Sequence, residues 1–246
     1  MGNQPWASGP SEILTFAIQL LSKDTDTNRR LSFILIDNAV EQSIKTFLSL
    51  PQRINGIKVP RKRVQESFES FPSLIDLLEE YASEKVKEID LGSIEWYHRL
   101  RNQLYHQGIG LTVGRDKVEI YSELAKLLFL KLFGAKIEIQ SSNKSFLIGE
   151  FIDVYNRLEN VLIELTSTHS VAATRQSTLF RALNWLKNGS IIPDEIYDKI
   201  NRFRQIRNSV VHGEEEYKKV LDEKLLVEIK ELTKELEEDM DIQGEV

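Results

Sequence analysis

Two short segments of the chain combine arginine, asparagine and histidine at the same spacing. Their polar residues are Arg101, Asn102 and His106 in the first segment and Arg207, Asn208 and His212 in the second. Imidazole, with an unperturbed pKa of about 6.5, accepts and donates protons near neutral pH. The planar guanidinium of arginine offers paired donors to an anionic group. These residue types at this spacing predict proton transfer beside a bound anion.

The apolar residues around the two segments also match, at a distance of 106 residues along the chain. Each segment starts at an isoleucine, Ile94 or Ile200, with an aromatic residue three positions later and aliphatic residues six and ten positions later. That period predicts one helix face packed inward, with the polar residues beside it. Gly108 and Gly213 follow the histidines and predict helix ends, where the helix dipole favours a protonated imidazole.

A polar stripe with a helix-capping histidine would explain a single copy of this pattern. Within each copy the asparagine and histidine are four residues apart and share one helix face, with the arginine on its flank. Two copies in matching apolar frames favour a duplicated functional element, because a chance match must reproduce both the polar and the apolar positions.

The remaining sequence predicts an all-α fold, since Leu, Ile, Glu and Lys are abundant and there are only 12 Gly and 6 Pro. Apolar residues at spacings of three and four predict helices at about 11–21, 28–50, 61–70, 73 onward, 93–107, 122–133, 145–166, 175–187, 194–211 and 215–239. Residues 1–10 contain two prolines and predict a loose tail. Alternating apolar residues around Gly114 predict a small β-hairpin at 109–121.

A polar stretch at 138–145 predicts a boundary between two domains. The expected domains are an N-terminal helical domain, 1–138, and a shorter C-terminal helical domain, 143–246. Each contains one copy of the motif.

Composition excludes several kinds of site. The chain of 246 residues has no cysteine, which excludes a disulfide framework, a Cys-ligated zinc site and a cysteine nucleophile. His98 and His169 lack a ligand-spaced partner in the sequence, so neither a metal nor a cofactor is expected. No apolar run is long enough to span a bilayer, and a cytoplasmic location is expected.

An Arg-Asn-x-x-x-His motif near the end of a helix, within a compact helical domain, resembles the HEPN superfamily (higher eukaryotes and prokaryotes nucleotide-binding domains). The upstream segments 38–41 and 156–159 share an Asn-x-aliphatic-Glu pattern that fits the resemblance. It covers nearly the whole chain as two tandem copies, and implies two helical bundles packed as a pseudo-dimer. A tyrosine that follows the motif histidine in some members is replaced here by Gly108 and Glu214, so control by its modification is not expected.

The resemblance implies a metal-independent endoribonuclease that cleaves RNA through its 2′-hydroxyl group. In that reaction His106 and His212 would share the two proton transfers. The arginines would match the charge of the transition state, and the asparagines would orient the phosphate or a histidine. The two motifs would meet within one chain or, alternatively, across a homo-oligomer.

Charge is unevenly distributed along the chain. The net charge is −6, and residues 214–246 carry 13 acids and 5 bases, a net of −8, which leaves +2 for the rest. A basic cluster without any acid lies within 51–65 and consists of Arg53, Lys58, Arg61, Lys62 and Arg63. This cluster is predicted either to guide an RNA backbone or to form a solvated turn.

The family resemblance also implies a role in antiviral defence, as a toxin or abortive-infection effector. An unrestrained ribonuclease would harm its host, so a regulatory protein partner or a larger defence complex is expected. The alternative is a non-catalytic module that binds nucleic acid or a nucleotide, or acts as a scaffold in a larger complex.

Overall fold

The structure is a computed structural model that describes residues 5–106, 112–137, 143–169 and 179–244. Every regular element in these ranges is a helix, which confirms the all-α prediction. In chain order the helices are α1 (Pro5–Leu21), α2 (Asp26–Ser49), α3 (Gln52–Asn55), α4 (Arg61–Ser67), α5 (Phe71–Val86), α6 (Leu91–His106), α7 (Arg115–Phe133), α8 (Asn143–His169), α9 (Leu179–Asn188), α10 (Asp194–His212), α11 (Tyr217–Val220) and α12 (Glu223–Gly244). None of these described helices is long and apolar enough to cross a lipid bilayer.

The chain divides into two compact units, Met1–Ser145 and Phe146–Val246. The first unit contains α1 to α7 with the first motif, and the second contains most of α8 and all of α9 to α12 with the second motif. The predicted boundary stretch is 138–145. Its residues 138–142 lie outside the described residues, and residues 143–145 are the first of α8.

An aromatic cluster between α2, α6 and α7 forms the centre of the first unit. Phe33, Tyr97 and Tyr121 are fully buried, and the rings of Tyr97 and Tyr121 stack with centroids 4.6 Å apart. Phe33 packs against these two rings at centroid distances of 6.0 and 5.4 Å. Because each helix contributes one ring, the cluster holds α2 and α7 against α6, which carries the first motif.

The core of the second unit is built from the apolar faces of α8, α10 and α12. The predicted inward face of α10 is confirmed, since its apolar residues Ile200, Phe203, Ile206 and Val210 are all buried. Tyr155 of α8 and Ile229 of α12 are buried as well. The inward face of α10 leaves the polar residues of the second motif at its edge, as the sequence period predicts.

The predicted β-hairpin at 109–121 is wrong where the structure describes it, because residues 115–121 belong to α7. The hairpin residues 109–111 lie outside the described part of the chain. Gly114 has a φ of −60° and precedes α7 as its N-cap, so it does not form a hairpin turn. All residues from 118 to 125 are buried. Because this helix segment is buried on all sides, its sequence shows no helical period. Its apolar residues alternate as they would in a strand.

The predicted loose tail at 1–10 is helical from Pro5 onward, while residues 1–4 lie outside the described part. Ala7, Pro10 and Leu14 are buried at spacings of three and four, so they form one packed face of α1. Proline removes one backbone donor from this helix. The pyrrolidine ring of Pro10 is buried, so it belongs to the packed face of α1.

Other helix ends differ from the predicted ones by a few residues. α2 begins at Asp26, because the hydroxyl of Thr25 accepts a hydrogen bond from the backbone N–H of Asn28 at 3.2 Å. The predicted helix at 215–239 is two helices, α11 and α12. The carboxylate of Asp222 accepts from the backbone N–H of Leu225 at 2.8 Å and so starts α12.

Gly134→Ala is expected to lower the free energy of unfolding of the first unit by about 1 kcal/mol. Gly134 ends α7 with a φ of 67°, and a Cβ atom there would meet no neighbour, so the whole cost comes from the left-handed backbone. The matched control is Gly114→Ala at the other end of α7, where φ is −60° and the space is also open. That control should change stability by less than about 0.5 kcal/mol in urea unfolding. Equal losses in both variants would contradict this explanation.

Candidate functional site

The first motif lies in the C-terminal half of α6. The start of this helix is set by Asp90, whose carboxylate accepts a hydrogen bond from the backbone N–H of Ser93 at 3.0 Å. Ile94 and Tyr97 then face the core without exposure, which leaves Arg101 and Asn102 half-buried at its edge. His106 is the last residue of the helix. Its side chain lies outside the described part of the structure.

A buried aspartate from α2 binds the arginine of the first motif. The carboxylate of Asp37 is fully buried and accepts a hydrogen bond from Nε of Arg101 at 2.7 Å. It also accepts from the hydroxyl of Tyr121 at 2.7 Å, and both of its oxygens lie 3.1 Å from Nδ1 of His98. Three helices therefore converge on one carboxylate, since these donors come from α6 and α7.

The donors around Asp37 keep it ionised. Burial raises the pKa of the Asp37 carboxyl, but the hydrogen bond and charge of His98 and the contributions of Arg101 and Tyr121 outweigh burial and lower the pKa below its usual range. Burial, together with the charge of Asp37, raises the pKa of Tyr121 well above its usual value. Tyr121 therefore keeps its proton and donates it to the carboxylate.

The guanidinium of Arg101 makes two further polar contacts. Its Nη1 atom donates to Oδ1 of Asn102 at 3.0 Å, and its Nη2 atom lies 3.7 Å from a carboxylate oxygen of Glu41. Glu41 also pairs with Lys45 at 2.5 Å. The predicted site residues Arg101 and Asn102 thus contact each other, and α2 holds the arginine from its other side.

The side chains of Asp37, Glu41 and His98 each place a ligand atom within 4.8 Å of the others, a spacing that can hold a metal ion. The cluster fits a cation poorly for two reasons. The oxygens of Asp37 already accept hydrogen bonds from Arg101 and Tyr121. The positive guanidinium of Arg101 also lies against both carboxylates and would repel a cation. We therefore interpret the cluster as an ion-pair network.

The second motif lies at the end of α10, which stops at Gly213 with a φ of 64°. Arg207 is half-buried, and its Nη1 atom donates to Oδ1 of Asn208 at 3.3 Å. Burial lowers the pKa of the Arg207 guanidinium to about 10, so it remains charged at neutral pH. Asn208 and His212 are exposed. The contact between arginine and asparagine is therefore the same in both motifs.

The surroundings of the two arginines differ. When the Asn-x-aliphatic-Glu segments are aligned, Tyr155 occupies the position of Asp37, and its ring centroid lies 6.0 Å from the guanidinium carbon of Arg207. Glu159 corresponds to Glu41, and burial raises the pKa of its carboxyl. The first arginine is thus held by a buried carboxylate, whereas the second lies over an aromatic ring.

The basic cluster predicted to contact RNA lies at the surface of the first unit. Arg53 belongs to α3, Lys58 follows it, and Arg61, Lys62 and Arg63 begin α4; all five side chains are exposed. Arg63 pairs with Glu80 at 2.5 Å, and Lys62 lies 3.7 Å from Glu66. Exposed pairs of this kind contribute little to stability, and their cations remain accessible to other anions.

Sequence reasoning considered His98 as a residue that could line the groove, but it missed Asp37, Tyr121 and the contact between Asp37 and His98. His98 was predicted to be isolated, and this was wrong, because its ring contacts a carboxylate 61 residues earlier in the chain. One signal in the sequence pointed to Asp37. It lies beside Ile36 and one helical turn after Phe33, both of which belong to the buried face of α2. A charged residue at such a position requires a buried partner.

Comparison of the chain with protein-family models, curated proteins and solved structures finds no match. The HEPN resemblance therefore rests on the two motifs and their helical context alone. Function has to be inferred from the residues of the site and their surroundings.

Asp37→Ala is expected to lower the free energy of unfolding at pH 7 by about 3–5 kcal/mol, because three buried donors lose their common acceptor. The difference should shrink as the pH falls below about 4. A carboxyl with a lowered folded pKa stabilises the protein above its unfolded pKa, and this stabilisation is lost as it protonates. Asp76→Ala, an exposed position on α5, is the control in urea unfolding. A loss for Asp37→Ala below about 1 kcal/mol would contradict the network.

Glu159→Gln is expected to stabilise the second unit at pH 7. Because the folded pKa of Glu159 is raised by burial, folding favours its protonated form, and the ionised form opposes folding at higher pH. The gain should therefore disappear as the pH falls below about 4.3. Glu231→Gln, at an exposed position of α12, is the matched control and should have no such pH dependence. A destabilised Glu159→Gln variant at pH 7 would show that the carboxylate has a favourable partner.

Proposed function

We propose that the chain is a metal-independent endoribonuclease whose two Arg-Asn-x-x-x-His motifs together form one site. The observation that carries the proposal is the matched geometry of the motifs. In each unit a half-buried arginine donates to the adjacent asparagine near the end of a helix with a packed apolar face. A polar stripe without a function would not require the same arginine–asparagine contact in both units.

The reaction requires two proton transfers and one stabilised anion. Attack of the 2′-hydroxyl oxygen on phosphorus needs a base that removes its proton, and the departing 5′-oxygen needs an acid. His106 and His212 are the imidazoles that the two motifs provide. Arg101 and Arg207 carry the positive charge that the pentavalent phosphorus intermediate requires, and their asparagine contacts limit the rotation of each guanidinium.

The same resemblance supports a role in host defence, as a toxin or abortive-infection effector under the control of a partner. Exposed basic side chains at 53–63 provide a second contact for the RNA backbone, since phosphate contacts add affinity without sequence preference.

One observation favours the second candidate function, a non-catalytic module that binds nucleic acid or a nucleotide, or acts as a scaffold. The Arg101 guanidinium already contacts Asp37, Asn102 and Glu41. An arginine compensated in this way contributes to folding even when it binds no substrate. The two functions differ in whether RNA is cut.

The full-length chain is expected to cut labelled RNA in the presence of EDTA and to leave ends with a 2′,3′-cyclic phosphate. His106→Ala and His212→Ala should each reduce the rate at least about 100-fold, because each removes a proton-transfer group. His169→Ala, outside both motifs, is the matched control and should retain activity. Cutting that survives both motif variants, or that needs magnesium, would refute the mechanism. Binding of RNA without cutting would favour the scaffold.

Mixing the two inactive variants tests where the motifs meet. If one site forms within one chain, a mixture of His106→Ala and His212→Ala should stay inactive. If the site forms across two chains, the mixture contains some sites with both histidines and should recover part of the activity. Molecular mass in solution, measured at the same concentrations, provides the independent check.

A further inference from the structure

A histidine outside the motif lies beside the first arginine. His98 precedes Arg101 by three positions and Asn102 by four, so all three side chains leave the same face of α6. The ring of His98 and the guanidinium of Arg101 also share one carboxylate, with Nδ1 and Nε at 3.1 and 2.7 Å from Asp37. Nη1 and Nη2 of Arg101 contact Asn102 and Glu41, and a carboxylate oxygen of Glu41 lies within 4.8 Å of a ring nitrogen of His98. A phosphate that contacts Arg101 would therefore lie near the imidazole and beside Glu41.

Two contacts, one at the edge of the His98 ring and one at its face, hold the imidazole in one orientation. At its edge, Nδ1 points to the ionised Asp37, which fixes the proton on Nδ1 and leaves the lone pair on Nε2. On its face, the ring of Phe71 stacks at a centroid distance of 3.9 Å and an interplanar angle of 5°. A carboxylate behind Nδ1 strengthens Nε2 as a base and stabilises the imidazolium that it forms.

Part of the His98 side chain reaches solvent. The side chain is 11% exposed, and among the described residues the hydrogen bonds of its ring are those of Nδ1. A hydroxyl group of a bound ligand would approach Nε2 through this exposed part of the ring.

We propose that His98 is a catalytic residue of the RNA cleavage assigned above, as the base that accepts the proton of the 2′-hydroxyl group, and that Asp37 is its positioning residue. One motif histidine is then the acid, and the other contacts the phosphate. This proposal rests on the proposed function. As Nε2 takes the proton, the 2′-oxygen forms its bond to phosphorus. The bond from phosphorus to the 5′-oxygen then breaks, and a motif imidazolium gives that oxygen its proton. The products are a 2′,3′-cyclic phosphate and a free 5′-hydroxyl.

The second unit lacks this pair of residues. In the alignment of the two copies, Arg204 occupies the position of His98 and Tyr155 that of Asp37. Neither replacement can act as a base at neutral pH, since arginine stays protonated and burial raises the pKa of Tyr155 above its usual value. The base of the reaction therefore lies in the first unit.

The test is the pH dependence of kcat/KM for labelled RNA in EDTA, measured for the wild-type chain and for His98→Gln. Glutamine can still donate to Asp37 but does not titrate. In the wild type the rate should rise with pH as the base loses its proton. In His98→Gln it should fall at least about 100-fold and lose this rise. Tyr121→Phe removes a different donor from the same carboxylate and should keep the rise.

Each outcome decides between the proposals. If His98→Gln retains the wild-type rate and pH profile while the motif variants lose activity, the role of His98 is refuted and the proposed function stands. If Tyr121→Phe also loses the rise, the effect belongs to packing and the role of His98 is refuted. If the wild type cuts no RNA, both proposals fall.

A measurement on the wild type removes any dependence on the folding of the variant. The titration of His98, followed by the nitrogen-15 shifts of its ring, should have the same midpoint as the kinetic rise. Midpoints that differ by more than about one pH unit, or a ring that carries its neutral-form proton on Nε2, would overturn the assignment.

Discussion

A carboxylate buried without compensation would cost several kcal/mol, and the first unit is arranged around this constraint. Asp37 lies on α2 with no exposure, and its compensation comes from Arg101 and His98 on α6 and Tyr121 on α7. α2, α6 and α7 must therefore pack with fixed rotations about their own axes, so that these side chains meet. The same tyrosine stacks on Tyr97 in the aromatic cluster, which links the polar network directly to the apolar core.

This constraint makes the two motifs chemically unequal although their sequences match. Arg101 is held by carboxylates from α2, whereas Arg207 lies over the ring of Tyr155 and has a lowered pKa because of burial. The two motifs thus share a sequence pattern and an Arg–Asn contact, but the surroundings of their arginines differ.

The two candidate functions make different use of the same network. In a scaffold, Asp37 would serve only to neutralise Arg101 and to connect three helices. In a ribonuclease, the carboxylate would also orient the imidazole of His98, whose ring stacks on Phe71.

Local patterns were enough to predict the all-α fold and the inward face of α10, because the period of apolar residues along a helix records which side is buried. The contacts of Asp37 could not be predicted, since its three partners are 61, 64 and 84 residues away in the chain and only packing brings them together. The false hairpin at 109–121 has a related cause, because the start of α7 runs into the segment 118–125, in which every residue is buried. Sequence alone thus determined the helices and the repeated motif. Tertiary structure decided which charges compensate each other, because a buried carboxylate takes its donors from whichever helices surround it.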